Sequence, residues 1–437
     1  MQEKQARLAL PRLSFLTTLA VAPFLAVSLR GDNTNAAERP PNVVMIVADD
    51  QGWTDFGFMG HGVIKTPRLD ALAAESAVFP NGYVPTSLCR ASLATLLTGL
   101  YAHQHNICCN DPPDGVDRAA MHPFIKQAPA VPRLLAQAGY RSFQTGKFWE
   151  GHFSNAGFTS GMTTKGRHGE EGLVIGRQTM QPIYDFMAAA PGKPFFVWYA
   201  PMLPHEPHDP PERFLKKYDV VGRNLKLAKY YAMCEWFDET CGELLDYLDR
   251  HGLRDNTLIV FVVDNGWIQE TGEVRTTRGN FAPKSKLSPY DGGLRTPVLL
   301  RWPGHTKPGR YEDLVSTIDL APTILTACGL DPPKEMPGLS LVDVAAGKGR
   351  LPRDAVFGEI YLHTAVDLGK PALNLTHRWV RAGDWKLISF EEGGMGPELY
   401  DVKVDPFEQQ NVAADHADKV RELVGRINTW WKVREGD

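Results

Sequence analysis

Two stretches of this chain, Asn42-Val-Val-Met-Ile-Val-Ala48 and Thr257-Leu-Ile-Val-Phe-Val-Val263, are almost wholly apolar, rich in β-branched residues and closed at once by acids. Runs of this kind read as strands covered on both faces, and such strands belong to parallel sheets flanked by helices. Pro194-Phe-Phe-Val-Trp-Tyr-Ala200 reads the same way, and Tyr140-Arg-Ser-Phe-Gln-Thr145 and Pro297-Val-Leu-Leu-Arg301 as shorter strands. Helical patterns lie between them. Thr66 to Ala74 has a Pro in its first turn, Val131 to Gly139 is closed by Gly139, and Leu227 to His251 is a long amphipathic helix ended by Gly252. Asp319 to Cys328 is a further helix. The alternation predicts an α/β fold: a mostly parallel central sheet with helices on both faces.

After about residue 350 the texture changes. Trp379-Val-Arg-Ala-Gly-Asp-Trp-Lys-Leu-Ile388 places a turn signal between two short strands, Glu398 to Asp401 gives another, and His416 to Val433 reads as a closing amphipathic helix. The expected division is a catalytic α/β domain over 38–350 and a small C-terminal α+β subdomain with an antiparallel sheet over 351–437. A chain of 437 residues is long enough for both.

The first 37 residues read as a targeting segment. Lys4, Arg7 and Arg12 precede an apolar stretch from Leu13 to Leu29, and the small residues Ala36 and Ala37 follow. That order is a secretory signal peptide and predicts export, to the periplasm or outside the cell. An uncleaved anchor is the alternative, and the only membrane contact expected.

A formal net charge of -4 and the lack of a basic stripe or reader motif argue against nucleic acid as a partner. Six cysteines in a chain this long make no disulfide scaffold, and without a Cys-x-x-Cys pair a thiolate zinc site is not expected.

Polar residues gather where strands end: Asp49-Asp50, Pro204-His205 and Asp264-Asn265. In open α/β sheets ligands bind outside the carboxyl ends of strands, so these stretches share one rim. One acidic pair after a strand is as often an ordinary turn. Two, behind two buried strands, point to a shared site for a hard divalent cation, Ca²⁺ or alternatively Mg²⁺. Thr86-Ser-Leu-Cys89-Arg-Ala-Ser-Leu-Ala-Thr-Leu-Leu-Thr98-Gly99 places a cysteine where a loop enters an apolar helix, a position that favours anions and lowers a thiol pKa.

With these motifs in order, the chain resembles the type I, formylglycine-dependent sulfatases of the alkaline-phosphatase superfamily. Their signature is Cys-x-Pro/Ala-x-Arg running into a Leu-Thr-Gly helix, and Cys89, Ala91 and Thr98-Gly99 fall in register with it. The resemblance implies that a formylglycine-generating enzyme or its equivalent oxidises Cys89 to formylglycine. The hydrated aldehyde then attacks the sulfate sulfur through one hydroxyl and is regenerated when the other loses its proton. Metal ligands would be Asp49, Asp50, Asp264, Asn265 and the modified Cys89. Lys147 in Thr145-Gly-Lys147 would touch the sulfate or the diol. His205 in Pro204-His-Glu-Pro207 would bind sulfate and protonate the leaving oxygen, and Lys286 would neutralise charge near the metal.

Two positions depart from the pattern. Leu93 stands where the family has Arg, with Arg90 as a partial replacement. Trp149 stands two residues after Lys147 where the family has His, with His152 or Glu150 as neighbouring substitutes. Arg167-His-Gly-Glu-Glu171 is a polar loop able to read a substrate, and His103, His105 and His208 are read as structural, with lining of the pocket mouth as the alternative. The expected activity is hydrolysis of a sulfate ester on a carbohydrate or another sulfate ester substrate. The alternatives are a phosphodiesterase or phosphonate monoester hydrolase of the same superfamily, or a non-catalytic sulfated-glycan binder with Cys89 unmodified.

Overall fold

The computed structural model describes residues 39–270, 280–391 and 394–433. The targeting segment read over residues 1–37 lies outside the described residues. Among the described residues, no helix is long and apolar enough to cross a membrane.

The larger sheet is built from β1 (Asn42–Ala48), β2 (Ala77–Tyr83), β3 (Arg141–Gly146), β4 (Ser160–Gly161), β5 (Phe195–Ala200), β6 (Thr257–Val263), β7 (Arg295–Arg301), β8 (Gly309–Arg310) and β9 (Val315–Ser316). The strands run in the order β4-β3-β5-β1-β6-β7-β2-β8, with β9 also on β2. Central β1 pairs in parallel with β5 and β6, and β3 pairs in parallel with β5. β7 is antiparallel to both β6 and β2, so the sheet is mostly parallel with one reversed strand.

Alternate side chains of the central strands enter two separate cores. Val43, Met45, Val47, Trp198 and Val260 face one side. There they meet α2 (Cys89–Thr98), α3 (Val131–Gln137) and α6 (Leu320–Ala327). Val44, Ile46, Val197, Ile259 and Phe261 face the other. There they meet α1 (Pro67–Ala74), α4 (Gln181–Ala188) and α5 (Leu225–Arg250). Every residue of β1 and β6 is buried, as continuous apolar runs require.

A second, antiparallel sheet has the order β10-β11-β12-β13: Ala355–Tyr361, Leu375–Ala382, Trp385–Phe390 and Glu398–Asp401. One face packs through Val356, Ile360 and Trp379 on Tyr83 and Leu294, and Trp379 Nε1 donates to Pro85 O at 3.0 Å. The other face packs on Leu423 and Ile427 of α7 (Ala417–Trp430).

Candidate active site at the carboxyl ends of the sheet

Asp49 and Asp50 follow β1, and Asp264 and Asn265 follow β6, so parallel pairing alone puts the two acidic ends side by side. Asp264 N donates to Ala48 O at 2.9 Å and Asp50 N donates to Asp264 Oδ1 at 3.1 Å. Asn265 Nδ2 donates to Asp50 Oδ1 at 2.7 Å. Asp49 N reaches across to Leu203 O at 2.9 Å, which brings up the loop carrying His205.

Two buried lysines enter this acidic floor. Lys147 Nζ binds Asp49 and stands 3.4 Å from Asp264 Oδ2. It is aimed by Gly146, whose φ of 69° and close approach to Ala200 leave no room for a side chain: a Cβ there would sit 2.0 Å from Ala200 O. Lys286 Nζ donates to Asp50 Oδ1 at 2.7 Å and Oδ2 at 2.5 Å. Its loop is held against the cysteine loop, because Ser87 Oγ donates to Ser288 O at 2.8 Å and Leu287 N to Ser87 O at 3.2 Å.

Cys89 opens α2 and is buried, and the same helix is tied to the floor by a hydrogen bond from Ser92 Oγ to Asp264 O. Gly99 closes it in the left-handed conformation and donates its N–H to Thr95 O at 2.8 Å. Burial pushes the Cys89 thiol up to about 11, against the pull of Lys147 and Lys286. Desolvation thus outweighs the pull of the helix N-terminus on this thiol.

His205 Nδ1 must donate to Glu206 O at 2.6 Å, since a carbonyl only accepts. Nε2 is left facing Asp50 Oδ2 at 3.3 Å. Burial lowers the His205 pKa to about 3, so a neutral ring turns an acceptor toward an acceptor. A cation or a proton between them removes that conflict.

Ligand atoms of Asp49, Asp50, Cys89 and His205 all lie within 4.8 Å of one another. Among the described residues, buried Asp49 Oδ2 and Asn265 Oδ1 have no hydrogen-bond partner. Burial raises Asp49 and Asp264 above the usual carboxylate range despite Lys147, with neighbouring acids adding to it. Asp50 goes the other way: burial would raise it, but Lys286, His205 and Lys147 hold it low. Oxygen donors short of positive charge, two of them orphaned, fit a hard divalent cation.

This floor opens into a cleft of about 470 Å³ lined by Asp50, Cys89, Trp149, His168, His205 and Lys286. Arg167, Asn110 and His363 form part of its wall. His168 packs edge-on against Trp149, with ring centroids 4.5 Å apart, and stands 6.0 Å from the His205 ring. Arg167 Nη1 donates to His168 Nε2 at 2.7 Å, so the neutral ring carries its proton on Nδ1. Sequence reasoning read this loop as a polar one able to read a substrate, without singling out His168; the signal was two basic side chains beside a Gly in Arg167-His168-Gly169.

The two substitutes weighed for Trp149 do not reach the cleft. Glu150 is taken by Arg90, with Nε to Oε1 at 2.7 Å and Nη2 to Oε2 at 2.9 Å. His152 is exposed and bonds Ser154 Oγ at 2.8 Å. Arg90 spends its remaining donors on Cys109 O and Met121 O, at 3.2 and 3.0 Å, and so does not replace the missing arginine. Leu93 is buried in the sheet-facing core. Elsewhere, His103 stacks on Trp431 and pairs with Glu359, and His105 is buried against Thr95. His208 packs near Tyr230 and Trp267. All six cysteines are free.

The fold and this floor define an α/β protein whose strand ends gather acids, buried lysines and a helix-starting cysteine at one rim of the sheet. The chain belongs to the sulfatase family: the family model Sulfatase matches residues 41–330. A second model, N-sulphoglucosamine sulphohydrolase, C-terminal, matches residues 281–430. The chain is 30% identical to human N-acetylgalactosamine-6-sulfatase over 414 residues, covering 83% of this chain and 76% of that protein. It is 28% identical to human arylsulfatase A over 461 residues, covering 89% of this chain and 86% of that protein. A solved structure in complex with its substrate D-glucosamine-2-N,6-O-disulfate shares the fold, with a TM-score of 0.73 at 23% identity over 90% of this chain and 97% of that one.

Proposed function

We propose that this chain hydrolyses a sulfate ester on a carbohydrate, with residue 89 as a formylglycine nucleophile beside a divalent cation. The observation that carries this reading is the convergence of Asp49, Asp50, Cys89 and His205 within 4.8 Å at the foot of the cleft.

Asp49, Asp50, Asp264, Asn265 and residue 89 would hold the cation, Ca²⁺ or Mg²⁺. When bound it supplies Lewis-acid polarisation and offsets charge on sulfate oxygens. Charge supports the pairing. Counted as ionised, the state a bound cation requires of its ligands, Asp49, Asp50 and Asp264 carry -3 and Lys147 and Lys286 carry +2, a formal sum of -1 that repels a sulfate monoester. A divalent cation turns the sum to +1, which matches the single negative charge of the ester.

The high thiol pKa makes unmodified Cys89 a poor nucleophile, which argues against a plain thiolate mechanism. Lys147 and Lys286, buried and fully charged, present ammonium donors to the sulfate and the attacking oxygen. His205, its Nδ1 held by Glu206 O, presents an unprotonated Nε2, which takes up the proton that the attacking hydroxyl releases and passes it to the leaving oxygen. His168, its Nε2 capped by Arg167, offers Nδ1–H as a donor. These buried, pre-aligned donors need little reorganisation when charge develops.

The sulfated sugar specificities named for the relatives favour a carbohydrate substrate here. Maturation by a formylglycine-generating enzyme, and export through the N-terminal segment, complete the reading. Parallel assays on an aryl sulfate, a phosphodiester and a phosphonate ester test it. Sulfate release should dominate, and dominance of a phosphoryl substrate by orders of magnitude would overturn it.

A further inference from the structure

A second and larger cleft, of about 960 Å³, lies where the edge of the main sheet meets the antiparallel sheet and α7. The loop that follows β1 serves both clefts: Asp50 lines the first and Trp53 the second. Its floor is formed by two buried guanidiniums, Arg295 and Arg381. Both converge on one neutral oxygen, Asn81 Oδ1, at 3.0 and 3.4 Å. Their other hydrogen-bond partners are also uncharged: Pro80 O for Arg295, and Gly383 O and Tyr83 Oη for Arg381. Among the described residues, the nearest carboxylate to Arg295 is Asp291 at 3.9 Å, and that carboxylate is already bound by Lys386 at 2.8 Å. Two buried guanidiniums sharing an amide oxygen are an arrangement that an anionic group from solvent would relieve.

The rim extends the same sign. Arg350, Lys403, Lys419 and Arg426 surround the opening, and the lining holds seven cationic against five carboxylate side chains. This local excess runs against the chain's formal net charge of -4. The rim cations are paired with Asp313, Asp384, Glu422 and Asp354; Asp313 is buried, but the other three pairs face solvent, contribute little and rearrange easily.

We infer that this cleft is a binding site for an acidic polysaccharide, separate from the catalytic cleft, whose sulfate or carboxylate substituents dock on Arg295 and Arg381. The interspersed carboxylates choose the class of ligand. They accept hydrogen bonds from sugar hydroxyls between the charged substituents, whereas they repel the closely spaced phosphates of a nucleic acid that has few hydroxyls to offer. The choice of a polysaccharide rests on the sulfatase reading. Docking itself is measured apart from turnover, so the two can fail separately.

The test is the affinity of the full-length chain for a chondroitin sulfate oligosaccharide, by calorimetry, in a Cys89→Ala background. Lys403→Glu with Lys419→Glu changes only the rim, and Arg381→Met changes the floor. Each should weaken binding by about tenfold or more. In the unmutated-Cys89 background, the rim variant should leave hydrolysis of a small aryl sulfate unchanged. The desulfated oligosaccharide separates the two anion sources: retained binding assigns the floor to carboxylates, lost binding to sulfates. Affinity unchanged in the rim variant would overturn the inference, as would single-stranded DNA binding as tightly as the oligosaccharide. Should Arg381→Met fail to fold, the rim variant decides.

Discussion

Arg90 and Glu150 form a two-pronged ion pair, 2.7 and 2.9 Å, with both side chains almost fully buried. The pair fastens the first turn of α2, where Cys89 sits, to the loop that follows Lys147. It therefore fixes the helix that opens at Cys89 relative to Lys147. Glu150→Ala should cost about 3–5 kcal/mol in urea unfolding, because Arg90 is left buried and uncompensated. Replacing both residues by methionine should recover most of that loss. Equal stability of Glu150→Ala and the parent would show that the pair holds nothing in place.

Cation binding should be visible without any substrate. Ca²⁺ at about 100 times its Kd should stabilise the fold by about 2.7 kcal/mol, read as a rise in Tm, and a chelator should reverse it. Asp264→Ala should abolish the Ca²⁺-dependent rise. A rise that persists in Asp264→Ala would move the cation away from the end of β6.

Gly146→Ala tests how Lys147 is aimed. The added Cβ would meet Ala200 O at 2.0 Å, in a backbone conformation at φ 69° that alanine rarely adopts. The expected cost is about 1–3 kcal/mol in unfolding free energy, with a fall in kcat as Lys147 shifts. Full activity and stability would mean that the strand end tolerates a different path.

His205→Ala should lower kcat on an alkyl sulfate by roughly 10²–10⁴-fold, and by less on an aryl sulfate whose leaving oxygen needs no proton. His168→Ala should raise KM more than it lowers kcat, because Nδ1–H is a donor rather than the proton source. Equal losses on both leaving groups in His205→Ala would remove it from leaving-group protonation.

The strands that carry the acids were legible because burial on both faces writes itself as an unbroken apolar run, as in Asn42–Ala48 and Thr257–Val263. β2 was not. Its sequence Ala-Val-Phe-Pro-Asn-Gly-Tyr reads as a turn, yet all seven residues are buried, and an irregularity between Phe79 and Gly82 absorbs the proline. The reversed direction of β7 was also hidden, because an apolar run encodes burial and not polarity of the strand. At the site, the acids and lysines were readable as motifs. Arg90 with Glu150, and His168 beside Trp149, were not, because those partnerships join residues far apart in sequence and depend on loop paths no local pattern records.

The account turns on the chemical state of residue 89. The direct measurement is the mass of the proteolytic peptide that carries it, from protein made in a host with a competent formylglycine-generating enzyme and assayed for sulfate release. The expected result is the lighter mass of the aldehyde, with turnover proportional to the converted fraction. A sample that turns over sulfate ester while residue 89 remains wholly a thiol would contradict it.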